Sequence, residues 1–209
     1  MRPDALLFDL DGTLTDSVGL IVHCCQRTFQ TFLGRDVPAE ELIPHVGRSL
    51  FALFDEYDAV QQPEMVAFYR ALYVEHHDDW VQLFPGIDAM LDGVKAAGLP
   101  IGIVTSKGRE SARPALERFG LSARLQTLVT YDDTERHKPE PEPLLLAAAH
   151  LGLAPERCWY VGDATHDLRA ARAAGMTAVA ALWGPMEQAI LRPLADHALE
   201  RPEALLDFL

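Results

Sequence analysis

The sequence contains little cysteine and little positive charge. Only three of its 209 residues are cysteines; Cys24 and Cys25 are neighbours and Cys158 lies far from both, so we expect neither a disulfide framework nor a zinc site. Lysine and arginine together number 18 against 31 aspartates and glutamates, which gives a net charge of −13. Because so acidic a chain repels a polyanionic backbone, we expect no nucleic acid among its partners.

Long apolar runs are also missing. No run approaches the roughly 18 residues that a membrane helix needs, and only four apolar residues precede Asp9, too few for a signal peptide. These absences predict a cytoplasmic protein with no membrane partner. With 49% hydrophobic and 23% charged residues, the chain can nevertheless bury a core.

Five short apolar runs have the character of buried parallel strands. They cover residues 5–9, 100–105, 125–130, 158–162 and 177–182. Helix-like stretches at 107–119, 141–151 and 165–174 separate the last four. This alternation predicts an α/β fold: a Rossmann-like parallel sheet core with helices on both faces. Ligands of such sheets bind outside the carboxyl ends of the strands, so polar residues that directly follow a strand are site candidates.

The alternation is interrupted between the first strand and residue 100. Residues 17–83 have a helical pattern, and a single crossover between strands needs far fewer residues. We therefore predict a catalytic core of residues 1–15 and 85–209, with an inserted small α-helical cap domain at 16–84. The insertion is acidic, since it holds eleven aspartates and glutamates against four arginines and no lysine.

Two carboxylates follow the first strand. Asp9 and Asp11 are separated by one residue and so share a face, and Gly12 permits a tight turn after them. A calcium loop would need Asp or Asn at position 13 and glycine at 14, but the chain has Thr13 and Leu14. A plain turn does not account for two carboxylates followed by Gly-Thr at a strand end. The pattern favours a chemical site.

This segment, DLDGTL at 9–14, resembles the signature loop of the haloacid dehalogenase superfamily, in its phosphoglycolate phosphatase-like branch. Three further segments are similar to the family's other motifs and occur in the same order: VTSK at 104–107, HKP at 137–139 and VGDATHD at 161–167. Each falls at or after a predicted strand end. The helical insertion lies where this family places a type-1 cap.

The resemblance implies a role for each matching position. Asp9 would be the nucleophile that forms an aspartyl phosphate, and Asp11 would protonate the leaving group and then activate water. Family members that cleave carbon–halogen bonds lack the second aspartate, so Asp11 indicates phosphoryl transfer. Thr105 would bind a phosphate oxygen through its hydroxyl, with the backbone of Ser106 and Gly12 assisting.

The charge of this site predicts a metal ion. Asp9, Asp11 and Asp163 add about three negative charges to a pocket for a phosphate, and each like-charge pair about 4 Å apart costs roughly 4 kcal/mol. The single ammonium of Lys138, expected to bridge the phosphate and the nucleophile, cannot offset that. Carboxylate oxygens suit Mg²⁺. The resemblance implies Asp9, Asp163 and the main-chain carbonyl of Asp11 as its ligands, with Asp167 orienting a metal-bound water or Lys138.

Four other polar residues have simpler interpretations. Lys107 is expected to begin a helix with its side chain in water, and His166 is expected to be exposed, because hard oxygen ligands suit the cation better. Asp16 should cap the first helix of the insertion or lie at its hinge. Arg48, in a glycine-containing segment, is expected to contact the non-phosphate end of the substrate.

These observations together predict a Mg²⁺-dependent phosphatase that hydrolyses a small phosphorylated metabolite, a phosphoglycolate-like phosphomonoester, through an aspartyl-phosphate intermediate. A phosphomutase of the β-phosphoglucomutase type and an inorganic pyrophosphatase remain alternatives on the same fold. A non-enzymatic binding protein is the least favoured interpretation, because every expected catalytic side chain is present. The metabolite is the only partner we expect, bound by a monomer or a homodimer.

Overall fold

The computed structural model describes residues 2–209 and contains eight strands and nine α-helices within that range. The strands, in chain order, are β1 (Ala5–Phe8), β2 (Thr15–Asp16), β3 (Gln82–Leu83), β4 (Ile101–Val104), β5 (Thr127–Val129), β6 (Cys158–Gly162), β7 (Thr177–Ala181) and β8 (His197–Leu199). The helices are α1 (Val18–Leu33), α2 (Ala39–Leu42), α3 (Leu50–Asp58), α4 (Gln62–Trp80), α5 (Ile87–Ala96), α6 (Arg109–Arg118), α7 (Glu142–Leu151), α8 (Thr165–Ala173) and α9 (Gln188–Leu191).

Six of the strands form one parallel sheet in the order β5-β4-β1-β6-β7-β8. All five predicted strands belong to it, and the predicted α/β fold class is confirmed. The sixth strand, β8, was not predicted. Its three residues contain no apolar run, and two of them are only partly buried, so the sequence carries no strong strand signal there.

Helices cover both faces of the sheet, as the apolar strand sequences require. Successive side chains of β1 point to opposite faces: Leu6 and Phe8 pack in the core that contains α5 and α6, whereas Ala5 and Leu7 pack in the core that contains α7 and α8. The central strands are therefore buried on both sides. Only their carboxyl ends are left to carry polar groups.

The helices α1 to α4 form an insertion between β2 and β3, with a hydrophobic cluster of their own. The two short strands pair antiparallel, with Thr15 opposite Leu83 and Asp16 opposite Gln82, so the chain leaves and returns side by side. Ser17 rather than Asp16 occupies the N-cap position of α1, so Asp16 does not cap that helix and lies where the insertion begins. The division at residues 16–84 remains a prediction.

None of the helices that the structure describes combines the length and the apolar character needed to cross a membrane.

Candidate active site

Three neighbouring strands at the centre of the sheet end in polar residues. In the order β4-β1-β6, Thr105 follows the first, Asp9 the second and Asp163 the third. Asp167 lies in the first turn of α8, which begins directly after this last strand end. The parallel arrangement thus brings together side chains that are up to 158 positions apart in the chain.

Lys138 lies between two of these carboxylates. Its Nζ donates to Oδ1 of Asp9 at 2.8 Å, to Oδ1 of Asp167 at 2.7 Å and to the Tyr160 hydroxyl at 2.9 Å, and only 1% of its side chain is exposed. Burial alone would lower the pKa of Lys138, but the charges of Asp167 and Asp9 raise it well above its ordinary range. The ammonium is therefore charged, and its three N–H groups are already used within the protein.

The aspartates carry more negative charge than Lys138 can balance. Burial raises the pKa of Asp9 to about 7 in spite of the attraction of Lys138, and the charge of Asp167 acts in the same direction as burial. Burial, followed by the charges of Asp167 and Asp9, raises the pKa of Asp163 well above its usual range. Burial would also raise the pKa of Asp167, but the adjacent Lys138 lowers it. Two buried carboxylates thus resist ionisation for want of a second cation.

The donor set fits a hard divalent cation. Oxygen atoms of Asp9, Asp163 and Asp167 lie within 4.8 Å of one another. Asp167 is already engaged on both oxygens, one by the ammonium and the other by the Ala164 N–H at 3.1 Å, whereas Asp163 accepts from the Thr13 hydroxyl at 2.6 Å through Oδ1 only. Asp9 and Asp163 each keep an oxygen that accepts no hydrogen bond from the described residues. Mg²⁺ prefers such carboxylate oxygens.

Gly12 was predicted to contact the substrate, but in the structure it allows Asp163 to approach the loop. Its φ is +85°, and a Cβ at this position would lie 2.3 Å from an oxygen of Asp163, so only glycine lets that carboxylate approach the loop. Its N–H donates to the carbonyl of Thr15 at 2.8 Å and is not available to a phosphate, contrary to the predicted substrate contact. The N–H groups of Leu10 and Ser106 have no backbone acceptor among residues 2–209 and remain available.

The prediction that Lys107 lies in water was wrong. Its side chain is only 9% exposed, and its ammonium donates to the carboxylate of Asp11 and, at 2.6 Å, to the hydroxyl of Tyr73 on α4. Asp11 also accepts from the Ser17 hydroxyl at 2.5 Å. Burial alone would lower the pKa of Lys107, but Asp11 and Tyr73 raise it, so the residue keeps its charge. The insertion covers Lys107, and sequence spacing gave no sign of that.

The prediction that His166 is exposed was also wrong. This residue is 8% exposed, and a Cβ on Gly47 of the insertion would lie 2.6 Å from its Nε2, so core and insertion meet closely here. Burial lowers the pKa of His166 and so favours the neutral ring. Its position beside the insertion depends on tertiary structure rather than on any local pattern.

A small cavity lies between the strand ends and the insertion. Asp9, Asp11, Thr105 and Ser106 line it from the core, together with side chains of α1, α3 and α4. Its volume is about 50 Å³. The predicted Arg48 also reaches it.

That arginine is not free, however. One nitrogen of Arg48 donates to Glu56 at 2.5 Å, and another lies 2.5 Å from a ring nitrogen of His45. Its predicted contact with substrate stays a prediction, and it would compete with these neighbours.

Comparisons with known proteins agree with this geometry. Residues 6–181 match the family model of haloacid dehalogenase-like hydrolases. The pyrophosphatase PpaX of Bacillus velezensis is 36% identical over 208 residues, which covers 98% of this chain and 95% of the relative. A solved structure from Bacteroides fragilis, provisionally named a haloacid dehalogenase-like hydrolase, has a TM-score of 0.91 at 26% identity and covers 98% of this chain and 100% of its own.

A second solved structure, from Lactobacillus plantarum and provisionally named a phosphoglycolate phosphatase, has a TM-score of 0.91 at 26% identity and covers 100% of both chains. The chain belongs to the haloacid dehalogenase-like hydrolase family.

Proposed function

We propose that this member of the family is a Mg²⁺-dependent phosphatase that uses Asp9 as its nucleophile and inorganic pyrophosphate as its principal substrate. The observation that carries the proposal is Asp9 itself, held by Lys138 on one oxygen, free on the other, and facing a cavity shared with Asp11 and Thr105. The substrate is supported by the Bacillus velezensis relative, which is named a pyrophosphatase and aligns over nearly the whole chain.

The residues suit a two-step transfer. The free oxygen of Asp9 attacks phosphorus, a new bond forms between them, and the bridging P–O bond breaks with its electron pair going to the leaving phosphate. Asp11 then takes a proton from the water that attacks the aspartyl phosphate, which releases phosphate and restores Asp9. Thr105 holds a phosphate oxygen through its hydroxyl during both steps. Lys138 keeps Asp9 in place.

The pairing of Asp11 favours pyrophosphate over a phosphomonoester. Lys107 and Ser17 both donate to the carboxylate of Asp11. A monoester loses an alkoxide, which needs a proton from Asp11 as it departs. A phosphate leaving group is far less basic and needs little help, so it can depart while Asp11 remains paired with Lys107.

Three residues would hold the metal ion. Asp163 would offer the oxygen that accepts no hydrogen bond, Asp9 the carboxylate oxygen that does not attack phosphorus, and Asp11 its main-chain carbonyl. When bound, Mg²⁺ would supply positive charge to the phosphate and to the buried carboxylates. We also propose that the insertion at residues 16–84 acts as a cap that shields the cavity from water.

A phosphoglycolate-like monoester is the second candidate. It is the substrate class that the sequence favoured, and the Lactobacillus plantarum structure supports it through its provisional name at 26% identity. The two candidates share the nucleophile and differ in the leaving group.

The test is phosphate release from pyrophosphate, phosphoglycolate, an aryl phosphate and a sugar phosphate. We expect the highest kcat/KM with pyrophosphate, and loss of activity with a chelator or with Asp9→Asn. Asp55→Asn, at an exposed position of the insertion, serves as the control and should remain active. Activity that survives both treatments would contradict the proposal, and sugar-phosphate isomerisation without phosphate release would identify a mutase.

A further inference from the structure

Arg70 is a cation without a partner at the candidate site. It lies on α4 and lines the same cavity as Asp9, yet its guanidinium forms no hydrogen bond or ion pair with any residue that the structure describes. Its Nε is completely buried. Leaving a buried donor unpaired costs about 1–3 kcal/mol, so a group of this kind in a cavity wall indicates a ligand.

Stacking, rather than hydrogen bonding, holds Arg70 in place. Its Cζ lies 5.3 Å from the centroid of the Phe51 ring, within the range of a cation–π contact. Phe51 in turn stacks on Tyr131 at 5.1 Å, and Tyr131 stacks on His137 at 3.8 Å. These stacking contacts use none of the N–H groups of the guanidinium. The donors therefore remain available to a ligand.

The other cations that line the cavity are already paired. Arg48 forms an ion pair with Glu56, and Lys107 forms one with Asp11. Of the arginines and lysines among residues 2–209 that line this cavity, only Arg70 has no acidic partner.

We propose that Arg70 binds the second phosphate group of pyrophosphate, the group that leaves when Asp9 attacks the first. This inference rests on the proposed function and adds to it a residue that recognises the second anion. A guanidinium presents parallel N–H donors that match two oxygens of one phosphate. Arg70 also lines an open cleft in which three arginines, with Arg109 and Arg113, outnumber the two carboxylates of Glu110 and Asp132, a local positive excess on a chain whose net charge is −13.

The first experiment compares substrates with and without a second anion. Arg70→Ala should lower the ratio of kcat/KM for pyrophosphate to kcat/KM for an aryl phosphate by about 10- to 100-fold, mainly through KM for pyrophosphate. Arg70→Lys keeps the charge but loses the paired donors, so its ratio should lie between those of Arg70→Ala and the wild type. Arg27→Ala, at an exposed position of α1 in the same insertion, is the matched control and should leave the ratio unchanged.

The second experiment measures binding without turnover. In an Asp9→Asn background with Mg²⁺, calorimetry should show that Arg70→Ala weakens the binding of inorganic pyrophosphate by about 10- to 100-fold and that of inorganic phosphate far less. If pyrophosphate binds in this Arg70-dependent way but the wild type does not hydrolyse it, the proposed function fails and the inference stands.

Other results overturn the inference. If the wild type hydrolyses pyrophosphate and Arg70→Ala changes neither the ratio nor the Kd, the function stands and the inference fails. An equal loss for both substrates in Arg70→Ala and Arg70→Lys would assign Arg70 a merely structural role and likewise refute it.

Discussion

Mg²⁺ should bind more tightly as the pH rises from 5.5 to 8. Burial raises the pKa of Asp9 to about 7, so at pH 5.5 this carboxyl is mostly protonated, and a metal ion must displace its proton in order to bind. The ionised fraction of Asp9 grows from about 3% to about 90% over this interval, which predicts an increase in Mg²⁺ affinity of about 30-fold. The raised pKa of Asp163 acts in the same direction.

The same pKa predicts how stability changes without metal. Because the pKa of Asp9 is raised from 3.8 to about 7 in the folded protein, its contribution to stability is fully present below 3.8 and is lost as the pH rises through 7. Between pH 5.5 and 7 the loss is about 2 kcal/mol. The lowered pKa of Asp167 has the opposite effect on stability, because its contribution is lost as the pH falls, but this loss occurs below pH 3.8. Added Mg²⁺ should therefore raise the Tm more at pH 8 than at pH 5.5.

Isothermal titration calorimetry with Mg²⁺ at the two pH values is the assay. Repeating each titration in two buffers with different ionisation enthalpies counts the protons released, and we expect more of them at pH 5.5. Asp9→Asn should reduce the pH dependence and leave the part that Asp163 contributes, whereas Asp55→Asn should retain all of it. Equal affinities at both pH values in the wild type would refute the reasoning that burial of Asp9 sets this competition.

Three further substitutions test the surroundings of the site. Lys138→Met removes a buried ammonium and should lower the free energy of unfolding at pH 8, measured with urea, by about 3–5 kcal/mol. It should also lower kcat by about 100-fold or more. Unchanged stability would contradict this prediction. Gly12→Ala places a Cβ 2.3 Å from Asp163 and should weaken Mg²⁺ binding by about 10-fold or more. Its control is Gly34→Ala, at a φ of +61° with open surroundings, which should lower the free energy of unfolding by about 1 kcal/mol and leave Mg²⁺ binding unchanged. Equal Mg²⁺ affinities in the two glycine variants would argue against this contact. Lys107→Met should lower kcat by about 10-fold, with partial recovery in Lys107→Arg; a wild-type kcat would assign this lysine no part in the reaction.

The convergence of Asp9, Thr105 and Asp163 could be predicted because it depends on local signals. Each follows a short apolar run, and the parallel topology that alternating helices impose brings the carboxyl ends of such strands to one side of the sheet. Lys138 was found through its motif rather than through any pattern of burial. Its contact with Asp167 is visible only in three dimensions.

The residues that the sequence misplaced depend on contacts between distant parts of the chain. Lys107 and His166 lie in motifs where a solvated side chain is the ordinary outcome, and they are buried because residues of the insertion, far away in the chain, cover them. Arg70 gave no signal either, since an arginine on a helix usually faces water and its neighbour Phe51 lies on a different helix. For Gly12, the sequence indicated a tight turn, but the close approach of Asp163 comes from a distant strand.

Phosphate should become covalently bonded to Asp9 during turnover. Rapid acid quenching of enzyme mixed with Mg²⁺ and labelled pyrophosphate, followed by borohydride reduction and peptide mass spectrometry, would locate the modified residue. We expect reduction at Asp9 in the wild type and none in Asp9→Asn. Sustained pyrophosphate turnover with the modification on another residue, or on none, would contradict it.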